Sequence, residues 1–197
     1  MKTRVFLIAA TAMIVAAGCG GNEESGGHSM GGSASSATAS AAPHHSNQDV
    51  MFAQLMIPHH QQAIEMAKLA GSRAKGPEVK ALARQIEQAQ DPEIKTMTGW
   101  LTQWGAQVPE GGGHGMDHGG GGSGMMSPED LLRLEDASGA RFDQMFLTMM
   151  IEHHEGAVTM AKAQQAKGTF VPAKTMAEAI ITTQTAEIAK MRQLAAK

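Results

Sequence analysis

The sequence predicts an all-α fold, a four-helix bundle made from two copies of one helical hairpin. Three observations lead there. Sliding the chain by 94 positions lays Asp49–Ala70 on Asp143–Gln164 without a gap, and half of the positions are identical: Asp49, Met51, Phe52, Met56, Ile57, His59, His60, Ala63, Met66, Ala67 and Lys68 each meet their own kind. The same offset pairs Ala83 with Ala177, Ile86 with Ile180, Gln90 with Gln184, Glu93 with Glu187, Ile94 with Ile188 and Met97 with Met191, so the repeated unit is two helices long. Within it the apolar positions keep a helical period. Phe52, Met56, His59, His60, Ala63, Met66 and Ala67 share one face, while Gln61, Glu65 and Lys68 take the other. No stretch reads as a strand. Two amphipathic hairpins bury their stripes against each other, which calls for a pseudo-twofold bundle with one long crossover.

Taken in order, residues 1–18 read as a secretory signal: Lys2 and Arg4 precede an apolar run from Val5 to Ala17 that is too short to span a bilayer as a helix. The sequence Ala16-Ala17-Gly18-Cys19 looks like a bacterial lipobox, which would leave Cys19 as a lipidated N-terminus held at the outer side of a membrane, periplasmic or cell-surface. Cys19 is the only cysteine, so lipidation there excludes disulfides, thiolate zinc sites and a cysteine nucleophile. Loss of Lys2 and Arg4 takes the formal charge from -3 to -5, and nothing points to a nucleic-acid partner. Residues 19–46, rich in Gly, Ser and Ala, read as a disordered tether before the bundle domain, 47–197.

The first repeat spans 47–108. Ser46 and Asp49 resemble a capping box at the start of a helix that ends at Gly71. Pro58 either kinks that helix or begins a new one, whereas the second copy has Glu152 there and runs straight. Gly76 and Pro77 open the second helix, which carries Leu82, Ile86, Gln90 and Met97 inward toward Trp104, with a second kink threatened at Asp91-Pro92. A glycine-rich flexible linker follows over 109–126. Ser127, Pro128, Glu129 and Asp130 start a short helix over 127–138, ended by Gly139. The second repeat, 140–197, has a helix from Arg141 to Lys167, a turn over Gly168–Pro172 and a last helix from Ala173.

The repeated histidines carry the chemistry. A lone histidine on an apolar face is usually a satisfied structural residue, but two adjacent pairs recurring 94 residues apart, each a turn from a methionine, point to a metal. Thioether sulfur suits Cu(I) and is a poor ligand for Mg, Ca or Mn, so histidine plus methionine without cysteine selects copper, most simply Cu(I), with Ag(I) as a mimic. The expected ligands are His59, His60, His153 and His154 with Met56, Met66, Met97, Met150, Met160 and Met191. One helix alone presents Met56 with His60, or Met150 with His154; Met97 and Met191 must come from the neighbouring helix. Core packing accounts equally for any one of these methionines. The low-complexity segments add weak capture sites at His28, Met30, His44, His45, His114, Met116, His118, Met125 and Met126, where glycine-rich surroundings offer the methionines no core to fill.

An oxidase-type metalloenzyme would need paired inward glutamates, including a Glu-x-x-His motif. Glu65 matches Thr159, and Glu152 and Glu155 match Pro58 and Gln61, so carboxylates are not part of what was duplicated and no catalytic residue is expected. Asp49 and Asp143 are duplicated, but near helix starts, where the helix dipole accounts for them. A surface module without metal, its histidines paired to each other and to glutamines, is the plainest alternative.

The pattern of Asp, Phe, Met-Ile, His-His, Ala and Met-Ala, seen as MIPHHQQAIEMA and MIEHHEGAVTMA and followed one helix later by Ile, Gln, Glu-Ile and Met, resembles domain-of-unknown-function family 305 across Asp49 to Leu194. The resemblance implies a ferritin-like bundle, secreted or lipid-anchored, that binds copper through His and Met and takes part in copper tolerance. The expectation is therefore an extracytoplasmic copper-binding lipoprotein that buffers or delivers Cu(I). Its partners would be the metal ion and, through the N-terminal lipid, a membrane, with a copper-transfer protein or a second copy of the chain as the protein partners such a role admits.

Overall fold

The computed structural model of the protein describes residues 44–110 and 124–197. The expected signal, Cys19, His28, Met30, and His114, Met116 and His118 of the linker lie outside the described residues. Five helices follow in order: α1 (Asn47–Arg73), α2 (Pro77–Gln103), α3 (Pro128–Asp136), α4 (Gly139–Lys167) and α5 (Val171–Ala195). Among the described residues there is no strand, and no helix is long and apolar enough to cross a membrane.

Local chemistry sets the boundaries. Ser46 and Asp49 form the expected capping box: the Asp49 amide donates to Ser46 Oγ at 3.4 Å, and the Ser46 amide donates to Asp49 Oδ2 at 2.7 Å. Pro77 and Pro128 occupy first helical positions, where the missing N–H costs nothing. Ser127 accepts from the Asp130 amide at 3.1 Å and so fixes the start of α3. Three expectations are corrected. Pro58 and Pro92 both lie inside continuous helices, so Pro58 starts no new helix and tertiary packing overrides its local cost. Gly139 opens α4 instead of ending α3, and its φ of +64° suits a residue without a side chain. Helix α5 begins two residues early because Pro172 fits within its first turn.

Helix α1 pairs with α2 and α4 with α5 as two hairpins, and α1 packs on α4. The core divides into two clusters that the duplication exchanges. One contains Phe52, Met56, Ile57, Met97 and Leu101 of the first repeat with Ala157, Ala161, Ala177 and Ile180 of the second. Its mirror in the other repeat contains Phe146, Met150 and Met191 with Ala63, Ala67, Ala83 and Ile86. The N-terminal half of α1 thus meets the C-terminal half of α4, and the two long helices run antiparallel. Each fully buried Phe or Met contributes roughly 1.5–3 kcal/mol, so both clusters are strong enough to fix the register between repeats. On α1 one cluster ends at Ile57 and the other begins at Ala63; on α4 the break falls between Met150 and Ala157. His59, His60, His153 and His154 fill that gap, at mid-helix.

Candidate metal centre

All four imidazoles are buried, none more than 1% exposed. The duplication pairs His59 with His153, and their rings meet on the α1–α4 seam with centroids 3.7 Å apart and planes inclined at 38°. Neither ring nitrogen of His153 makes a hydrogen bond of acceptable geometry. Burial pushes the His153 pKa well below its ordinary value, and His59, His154 and His60 add to this, against a small opposing effect of the His59 backbone. The ring is therefore held neutral, with a lone pair inside the protein.

His60 and His154 have a different partner. Nε2 of His60 donates to Oε2 of Glu93 at 2.7 Å, and Nε2 of His154 donates to Oε2 of Glu187 at the same distance. A carboxylate on Nε2 keeps the proton there and turns the lone pair of Nδ1 inward, the arrangement by which outer carboxylates orient metal-binding imidazoles. Nδ1 of His60 and Nδ1 of His154 are buried and have no hydrogen-bond partner. Carboxylates are thus part of the duplication, contrary to the expectation. The signal was in the sequence, because Glu93 and Glu187 keep the repeat offset and each lies 33 residues beyond its histidine. Because they lie on another helix, the local pattern around each histidine does not reveal the pairing. Gln90 and Gln184, another repeated pair, are also buried and leave Oε1 without a partner.

The sulfurs follow the same symmetry. Met56 and Met97 share one cluster, with Met160 packed against it. Met150 and Met191 share the other, together with Met66. Each half of the core therefore holds three of the six, two from one repeat and one from the other, with Met97 contributed by α2 and Met191 by α5. Met126 departs from expectation: it is 8% exposed and sits in the second cluster with Met66, so it has a core to fill. Met125 is exposed. His44 is exposed, while the ring of His45 stacks on Trp104 at 4.5 Å, which gives it a packing role at the end of α2.

Among the described residues no three His, Asp or Glu side chains are grouped to hold a metal ion. His59 and His153 touch each other, and an ion at about 2 Å from each nitrogen needs the rings to part. The nitrogens of His60, His153 and His154 that lack a hydrogen-bond partner could hold a metal ion, and the nearest buried sulfurs along the chain are those of Met56 and Met150.

Fold and site together define a duplicated, all-α helical protein with a buried histidine seam between two methionine-bearing half-cores. The chain belongs to the family described as "Domain of unknown function (DUF305)", which matches residues 49–195. Among solved structures, CopM in the Cu(II)-bound form is 38% identical and superposes with a TM-score of 0.64, over 75% of this chain and 95% of that one. CopM is also solved in Cu(I)-bound and Ag-bound forms. A DUF305 protein from Streptomyces coelicolor is 33% identical, with a TM-score of 0.66 over 75% of this chain and 91% of that one. A DUF305 fragment from Deinococcus radiodurans is 28% identical, with a TM-score of 0.69 over 78% and 99%. No curated protein matches the chain.

Proposed function

We propose that this protein binds copper, as Cu(I), through the imidazoles of the α1–α4 seam and the thioethers of the two half-cores, and that it buffers or delivers the ion outside the cytoplasm without covalent chemistry. The observation that carries this reading is the set of buried imidazole nitrogens left without partners at His60, His153 and His154. An unpaired buried polar group costs roughly 1–3 kcal/mol, and here it recurs at His60 and His154, each four residues from a buried methionine. The copper-bound and silver-bound forms of CopM, more than a third identical, support copper as the metal; the choice of Cu(I) rests on the thioether donors. Glu93 and Glu187 orient imidazoles, which leaves too few carboxylates for an oxygen-activating centre of the di-iron type. The sequence Ala16-Ala17-Gly18-Cys19 supports export and lipid anchorage to the outer side of a bacterial membrane, and the His/Met segments before and between the repeats supply capture.

Titration of the purified protein with Cu(I) against a competing chelator tests this. Submicromolar binding that disappears when His59, His60, His153 and His154 are replaced by leucine supports it. Binding that survives those replacements, or no binding by the parent chain, overturns it.

A further inference from the structure

Three residues that come before α3, Gly124–Met126, bridge α4 and α1 beside the positions of His153 and His59. Gly124 lies flat on α4: with φ of +69°, any side chain there would put its Cβ 2.4 Å from the Glu152 carbonyl oxygen and 3.1 Å from the His153 Cα. Two residues on, the chain has crossed to α1. There the Gln62 side chain holds the Met126 backbone from both ends, Nε2 donating to the Met126 carbonyl at 3.0 Å and Oε1 accepting from the Met126 amide at 2.7 Å. Gln62 is one helical turn from His59. The segment thus runs from the backbone of His153 on one helix to a point one turn from its partner imidazole on the other.

This bridge is one-sided. The repeat offset places Gly156 where the first copy has Gln62, so the second repeat has no side chain to make the same grip. A contact needed merely to hold the hairpins together would be expected in both copies. Helix packing buries the histidines of both copies, and among the described residues the strap is anchored at Gln62 on α1 and at Gly124 against α4.

We infer that Gln62 is the latch of a strap, Gly124–Met126, and that release of this latch, not separation of α1 from α4, opens the His59–His153 pair to solvent and to an incoming soft metal ion. Its purpose rests on the copper reading above; the strap motion itself does not. The Gln62 hydrogen bonds and the packing of the Met126 side chain in the second half-core are local to the strap, so it opens while both hairpins stay folded.

The test compares the full chain with its Gln62→Leu and Gly124→Ala variants by three measurements: hydrogen exchange at the Met126 amide, carbethoxylation of His153 mapped by mass spectrometry, and the rate of Ag(I) uptake. In the parent chain the Met126 amide is expected to exchange at least about tenfold faster than the amides of α4 around His153. Each variant is expected to raise that exchange at least another tenfold, to speed His153 modification and Ag(I) uptake in step, and to leave the exchange of the α4 amides unchanged. The latch is overturned if Met126 exchanges only with global unfolding, or if His153 is modified no faster once Met126 is released. Should the parent chain take up no Ag(I), the copper reading fails by itself, and exchange and modification still decide the latch.

Discussion

Asp49 of the first repeat caps the turn in front of Phe170 in the second: its carboxylate accepts the backbone N–H groups of Thr169 and Phe170, each at 3.2 Å. Asp143 returns the contact, accepting from the amides of Lys75 and Gly76 at 3.0 and 2.8 Å. The helix dipole of their own helices, the reason expected from sequence, is the smaller part of their role. Each aspartate satisfies the open N-terminus of a helix in the other repeat, and so holds the two hairpins in register. The contacts differ in depth. Asp49 is fully buried and also accepts from Ser46, from Gln164 Nε2 at 2.5 Å and from Thr169 Oγ1 at 3.0 Å. Asp49→Ala is expected to cost about 3 kcal/mol and Asp143→Ala roughly half of that, as read from urea denaturation midpoints. Equal losses would mean that the extra bonds to Asp49 carry no weight.

Acid acts on the same residue and on the histidine seam in one direction. Burial alone would raise the Asp49 pKa, but hydrogen bonds from Ser46, Gln164 and Thr169 outweigh it and hold the group well below its ordinary value of 3.8. The unfolded chain therefore takes up this proton first, and the stability from Asp49 is present above about pH 3.8 and lost as pH falls below it. His153 is likewise harder to protonate when folded, its unfolded reference being 6.5. Its contribution is flat above that pH and becomes a growing penalty below it. Stability is thus expected to decline in two stages on acidification, the first beginning near pH 6.5 and absent in His153→Leu. Denaturation curves collected from pH 8 downward are the check, and a profile flat between about pH 7 and 5 would contradict the state assigned to His153.

Glu93→Gln and Glu187→Gln keep size and hydrogen bonding but remove the carboxylate from His60 and His154. Outer-shell changes of this kind lower metal affinity about 10–100-fold, and that loss is expected for Cu(I) in each variant, measured by chelator competition. Both glutamates are largely but not fully covered, with side chains 24% and 15% exposed, so the fold is expected to hold. Unchanged affinity in both variants would reduce the two pairs to ordinary packing contacts.

The repeat told most of this in advance. Helical period and the 94-residue offset located every long helix, the pseudo-twofold core and the buried histidines, because a duplicated residue type at a buried position is visible without coordinates. What the sequence hid are contacts between the copies. Nothing local to Asp49 says that it reaches Thr169, 120 residues away. Whether Pro58 kinks its helix or starts a new one stays open in the sequence because local propensity is all that it offers there, while the fold keeps α1 continuous. Gln62 and Met126 hold each other over 64 residues and outside the repeat, so no periodicity marks them, and Met126 read as linker chemistry instead of core. Glu93 and Glu187 are plain in the offset, but their histidine partners lie on another helix, 33 residues away.

His153→Leu separates a ligand from a structural residue. A buried imidazole with neither nitrogen hydrogen-bonded costs free energy in the folded protein, and leucine fills similar space without that cost. The unbound variant is therefore expected to be more stable than the parent by about 1 kcal/mol, a gain that a residue kept for stability would never show. The parent is expected to gain in turn when metal is added: at a free Cu(I) concentration 100 times the dissociation constant, linkage adds about 2.7 kcal/mol, and most of this is expected to vanish in the variant. Denaturation midpoints with and without Cu(I) give both numbers from the same samples. If leucine instead weakens the unbound chain, the contact of His153 with His59 at 3.7 Å is a structural one, and the seam is held together by its rings.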